Sequence, residues 1–150
     1  MALVTTKEMF KKAYEGGYAI GAFNINNMEI IQAITEAAEE LRSPVILQVS
    51  AGARKYAKHE YLVALAQAAI KDTGIDLALH LDHGKTLDDV RRAVEAGFTS
   101  VMIDGAALPF EENVRFSRRA VDYCHASGVS VEAELGAIRG KEDDHVSEAD

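Results

Sequence analysis

Tryptophan is absent from these 150 residues, and cysteine occurs once, as Cys124. One cysteine cannot close an internal disulfide, so a disulfide-stapled scaffold is excluded and a reducing, cytoplasmic setting fits. Only two prolines occur, and no Pro/Gly/Ser-rich or low-complexity stretch reads as a linker between domains. No apolar run approaches the roughly 20 residues of a membrane span, and the N-terminus lacks a signal-peptide pattern. Basic residues are the minority: 16 Lys and Arg stand against 24 Asp and Glu, a net charge of −8. That balance argues against nucleic acid and anionic membrane surfaces as partners. No G-x-G-x-x-G or P-loop pattern follows a strand, which leaves nucleotide binding without support.

What remains is a chain of one-domain size with 48% hydrophobic and 27% charged residues, the balance of a soluble globular protein. Strands and helices alternate along its whole length. Thr5 or Thr6 opens a first helix, stopped by Gly16-Gly17. The strands read as Ala19 to Phe23, Val45 to Val49, Leu77 to Leu81, Ser100 to Ile103 and Val129 to Leu135. Between them, Asn26-x-x-Glu29 forms a capping box for a helix carrying Ile30, Ile31, Ile34, Ala37, Ala38 and Leu41. Further helices run from about His59 to Lys71, from a cap at Thr86 to Gly97, and from Pro109 to Gly128. The charged tail from Arg139 to Asp150 reads as a loop. Near-continuous apolar strands separated by amphipathic helices mean a parallel sheet covered by helices.

The third strand ends unusually, in His80-Leu81-Asp82-His83-Gly84. Alternation places Leu77, Leu79 and Leu81 on one face and Ala78, His80 and Asp82 on the other. The other strands repeat the pattern, one face greasy and the second growing polar toward the carboxyl end. The last residues on the polar face are Asn24, Ser50, Asp82, Asp104 and Glu134. Parallel α/β folds bind ligands at that end. Placing three carboxylates there has a desolvation cost that structure alone does not repay. Glu132 and His80, further down the same face, need partners, and Arg or Lys lower in the core could supply them. Cys124 reads as a small core residue. His59, His125 and His145 read as surface residues.

With Val101-Met102-Ile103-Asp104-Gly105 and Val131-Glu132-Ala133-Glu134-Leu135-Gly136 beside it, His80-Leu81-Asp82-His83-Gly84 resembles the class II, metal-dependent fructose-bisphosphate aldolases. Gly21-Ala22-Phe23-Asn24, Ser43-Pro44-Val45-Ile46, Gln48-Val49-Ser50 and Pro109-Phe110-Glu111-Glu112-Asn113 add to the likeness, in order and over all 150 residues. The resemblance implies a (β/α)8 barrel, of which this chain is about the first five strands, with 136–150 as a mobile active-site loop. It implies that His83 is one of three histidines holding a catalytic zinc, with Asp104 and Glu134 near the metal. Other divalent metals and a monovalent cation are further candidates for the site. By the same resemblance Asp82 handles the proton of the C4 hydroxyl, Glu142 is the base acting at C3, and Asn24 and Ser50 contact the substrate. Three positions depart from the family pattern: Ala106-Ala107 replaces a common polar pair, and Arg139 stands where glycine is common.

The implied reaction is reversible cleavage of fructose 1,6-bisphosphate to dihydroxyacetone phosphate and glyceraldehyde 3-phosphate, in glycolysis and gluconeogenesis. The implied whole protein is a cytoplasmic dimer or tetramer. Two alternatives remain open: tagatose 1,6-bisphosphate as substrate, which differs only at C4, and an inactive half-barrel that folds or oligomerises without catalysis. A metal-dependent hydrolase is disfavoured, because such enzymes usually place two histidines as H-x-H on one strand face. Here the same-face pair is His80 and Asp82.

Overall fold

The computed structural model describes residues 3–136, 140–142 and 145–147. The first helix, α1 (Thr6–Gly16), begins after Thr5, whose side chain makes no capping bond, and ends on Gly17 in the left-handed region. β1 (Gly21–Asn24) is followed by α2 (Met28–Glu40). The cap of α2 is Asn27, which accepts the Ile30 N–H, so the expected box at Asn26 is displaced by one residue. β2 (Val45–Val49) runs into a short helix that periodicity did not reveal, α3 (Ala51–Ala57), capped by Ser50 through the Ala53 N–H. α4 (His59–Asp72) leads to β3 (Leu77–Gly84) and α5 (Leu87–Glu95). α5 carries a full capping box between Thr86 and Asp89. β4 (Ser100–Ile103), α6 (Phe110–Ala126) and β5 (Ser130–Ala133) complete the alternation. In the stretch read from sequence as a loop, the backbone forms a short antiparallel pair, β6 (Gly140–Glu142) with β7 (His145–Ser147).

The five main strands pair in chain order, all parallel. Each joins the next through helices, the arrangement that builds the wall of a (β/α)8 barrel. One face packs on the helices. Leu47, Leu77, Leu79, Leu81, Val101 and Ile103 lie fully buried there against Leu62, Ala66, Val90, Ala93, Ala120 and Cys124. On the other face, Met9 of α1 packs on Ile46 and Ala78 at the amino ends of the strands. The Val4 N–H donates to the Leu77 carbonyl and ties the N-terminal segment to that end. α1 is therefore remote from the ends that carry Asp82 and Asp104.

β1 is exposed along its whole length, and Phe23 on it is 48% exposed. Half of the apolar stripe of α2 is likewise uncovered, with Leu41 75% exposed. Phe23, Ile34, Ala37, Leu41 and Val45 line a groove of about 360 Å³ between β1 and α2. Among the described residues no helix is long and apolar enough to cross a membrane.

Candidate functional site

The pairing of β3 with β4 is in register at Leu81↔Val101 and again at Gly84↔Ile103. Three steps on β3 match two on β4, so β3 carries one extra residue, a bulge. A bulge kinks a strand and re-aims its side chains. His83 takes up the kink with φ 47°, a left-handed backbone uncommon for a residue with a Cβ. Gly84 follows because nothing larger fits: a Cβ there would lie 2.8 Å from the Met102 carbonyl oxygen. Strict alternation does not extend through His83, and pairing with β4 resumes at Gly84, so the strand runs to Gly84 instead of stopping at Leu81.

The bulge brings His83 to Asp104 at the end of β4, with Nδ1 3.0 Å from Oδ2. A carboxylate only accepts, so His83 Nδ1 carries the proton. In the neutral ring the Nε2 lone pair is then left for another partner. The same Asp104 oxygen accepts from the Lys85 ammonium, and Oδ1 accepts the Ala106 N–H at 3.1 Å. Burial alone would raise the Asp104 carboxyl, but the hydrogen bonds from Lys85, His83 and Ala106 outweigh it and hold its pKa at about 2. For His83 burial acts to lower the pKa. The hydrogen bond to Asp104 and the charges of Asp82 and Asp104 outweigh it, so this ring protonates more readily than a free histidine.

Glu134 lies just past β5. His83, Asp104 and Glu134 each offer one ligand atom, and these lie within 4.8 Å of one another. They form the one such group of three among the described residues. One imidazole and two carboxylates are a donor set that suits zinc and other divalent ions. Zinc–ligand distances of about 2.0–2.2 Å put neighbouring ligands about 3.5 Å apart, so side-chain shifts of about 1 Å would close the group on an ion. The residues present fit a divalent cation.

Asn113 of α6 is buried and holds Glu134 in place: its Nδ2 donates to the Glu134 carbonyl at 2.7 Å, while Oδ1 accepts from Ser117. Asn113 approaches Gly105 so closely that a Cβ there would lie 2.3 Å from Asn113 Oδ1. Sequence patterning offers Asn113 only as a polar residue in a helix's first turns. The signal available was its company, a buried-face position preceded by Pro109 and followed at i+4 by Ser117.

Asp82, His83 and Glu132 share one neighbourhood. The Asp82 charge raises the pKa of His83 and, after partial burial, is the second cause of the raised pKa of Glu132. His80 is 4% exposed and, among the described residues, makes no pair with Arg or Lys, contrary to expectation. Its Nδ1 is 2.7 Å from Ser100 Oγ, which is 3.1 Å from Thr6 Oγ1 on α1, and its Nε2 faces Glu132 at 3.6 Å. Burial, aided by the nearby His83 charge, pushes the His80 pKa down to about 4. The ring is neutral at pH 7, and its contact with Glu132 is then no ion pair. The Ser100 hydroxyl satisfies Nδ1 of this neutral ring at lower desolvation cost than a buried guanidinium or ammonium would.

Asn24 ends β1 and is exposed, and Ser50 follows β2, its hydroxyl engaged as the α3 cap. Both lie at the carboxyl ends of their strands. Glu142 lies on the backbone of β6, and its side chain falls outside the described residues. Cys124 is fully buried, as read from sequence, and burial pushes its thiol up to about 11. His125 is exposed as expected. His59 is not: its ring stacks on Phe98 at 5.3 Å, with Nε2 buried.

Residues 4–150 match the family model described as fructose-bisphosphate aldolase class-II. The fructose-bisphosphate aldolase of Treponema pallidum (strain Nichols) is 52% identical over 155 residues, covering 99% of this chain and 47% of its own length. That of Geobacillus stearothermophilus is 52% identical over 151 residues, covering 99% of this chain and 53% of its own. Among solved structures, the X-ray structure of the YdjI aldolase from Escherichia coli K12 superposes with a TM-score of 0.86 at 33% identity. The match covers 90% of this chain and 51% of that one. The chain spans about half the length of the curated relatives it matches. The five parallel strands are thus part of a (β/α)8 barrel, and the chain belongs to the class II fructose-bisphosphate aldolase family.

Proposed function

We propose that this chain supplies part of the metal site and the first proton-transfer group of an enzyme that reversibly cleaves fructose 1,6-bisphosphate. The products are dihydroxyacetone phosphate and glyceraldehyde 3-phosphate, as in glycolysis and gluconeogenesis. The observation that carries the proposal is the convergence of His83, Asp104 and Glu134 from three strand ends, beside Asp82, in a chain of this family. A divalent ion, zinc by this reading, would polarise the ketone carbonyl and so stabilise the negative charge left when the C3–C4 bond breaks. Asp82 takes the proton of the C4 hydroxyl as that bond breaks and returns it in the reverse direction. Glu142 completes the proton transfer at C3, and Asn24 and Ser50 touch the sugar phosphate. The setting is the cytoplasm, and the assembly is a dimer or tetramer of the complete protein.

The exposed β1 and the bare stripe of α2 support a further part of this reading. The wall of the barrel continues in strands and helices outside these 150 residues, and those carry the remaining metal ligands and phosphate-binding groups. Zinc titration combined with an aldolase assay on the 150-residue chain tests it. The expected result is metal binding that depends on His83, with no cleavage. Full activity from this chain as a monomer would contradict the division of the site. In an active full-length protein, Asp82→Ala is expected to lower kcat by about 10²–10⁴-fold, the range for a positioned acid–base group, with a smaller effect on KM. Near-normal turnover would remove Asp82 from the mechanism.

A further inference from the structure

Lys85 follows Gly84 at the end of β3, and its ammonium bonds the same Asp104 oxygen that accepts from His83. Asp104 is deep, with its side chain 7% exposed, whereas the Lys85 side chain is 58% exposed and reaches in from the rim. With Ala106 N–H on the other oxygen, three donors already share this one carboxylate. A divalent ion entering among His83, Asp104 and Glu134 meets a carboxylate that already has a positive charge against it.

Resting on the metal-site reading above, we infer that Lys85 is an internal competitor of the metal. It neutralises Asp104 while no ion is bound and must leave before a divalent ion engages that oxygen. The four-carbon stem and the exposure of the side chain let the ammonium withdraw to water without disturbing β3. The exchange also discriminates. A monovalent cation that displaces an ammonium gains no charge at the site, whereas a divalent one does. Lys85 thereby weakens metal affinity by a modest, charge-dependent factor and biases the site toward divalent ions.

The test needs no catalysis. Zn²⁺ binding is measured by calorimetry, and Co²⁺ binding by its visible absorption, on the 150-residue chain at fixed pH and ionic strength. The variants are Lys85→Gln, Lys85→Met, Lys85→Arg and His83→Ala. Removing the charge should tighten binding about fivefold in both neutral variants, the scale of a half-exposed ion pair. Lys85→Arg should stay within about twofold of the parent. Equal or weaker binding in both neutral variants, or the same tightening in Lys85→Arg, overturns the competitor role. If His83→Ala binds as well as the parent, or no protein binds metal, the metal-site reading itself is overturned. Weakened binding in His83→Ala beside unchanged neutral Lys85 variants overturns only the role of Lys85.

Discussion

Acidification should reveal the buried imidazole of His80. Its pKa is about 4 in the folded chain and about 6.5 when free, because burial removes the water that stabilises the charged ring. Between those two values the unfolded chain binds a proton that the folded chain refuses. Stability from the neutral ring is therefore fully present above pH 6.5 and is lost as pH falls toward 4. At about 1.36 kcal/mol per tenfold difference in proton affinity, the drop from 6.5 to about 4 corresponds to about 3 kcal/mol. That is a large part of the 5–15 kcal/mol typical of a domain. His80→Gln keeps a polar group within reach of Ser100 Oγ but cannot titrate. Urea denaturation of both proteins from pH 8 to pH 4, repeated in His83→Gln and Glu132→Gln backgrounds to remove the two neighbouring titrating groups, isolates the effect. The stability of the parent relative to His80→Gln should fall by about 3 kcal/mol across that window. Asp104, with its pKa at about 2, responds below it. A difference that does not change with pH would refute the burial argument.

Two further expectations concern the frame of the site. Gly84→Ala sets a Cβ against a backbone carbonyl that cannot swing aside, so it should cost about 1–3 kcal/mol and lower the thermal midpoint. A melt unchanged within error would mean that the bulge tolerates a side chain. Asn113→Ala removes the donor to the Glu134 carbonyl and the acceptor of the Ser117 hydroxyl, at a cost of about 1 kcal/mol per hydrogen bond lost in chemical denaturation. It should also weaken Zn²⁺ binding, because Glu134 is no longer held toward His83 and Asp104. Loss of stability with unchanged metal affinity would confine Asn113 to a packing role.

Much of this fold is legible in the amino-acid sequence. The near-continuous apolar runs at Val45–Val49 and Ser100–Ile103 are strands with those same bounds, because a residue buried on both faces of a sheet has little choice but to be apolar. Thr86 announces the start of α5 because a helix cap is a local hydrogen bond, and the structure adds Asp89 as the other half of a capping box. The polar rim was legible for a similar reason. Alternation is a property of one strand, and applying it five times picks out Asp104 and Glu134 without knowing how the strands pair.

Interactions between strands were not legible. The bulge that turns His83 toward Asp104 exists only as a mismatch of register between β3 and β4, and no pattern within β3 alone encodes it. The hydroxyl that meets His80 comes from Ser100, twenty residues on, and that hydroxyl is bonded in turn by Thr6, on a helix at the far end of the chain. In the sequence Thr6 marks only a helix start. Ser50 begins a helix too short for its apolar period to show. Composition and periodicity report what each segment needs, burial on one side and water on the other. Which partner meets that need depends on distances across the sheet, and those arise only when the strands are brought together.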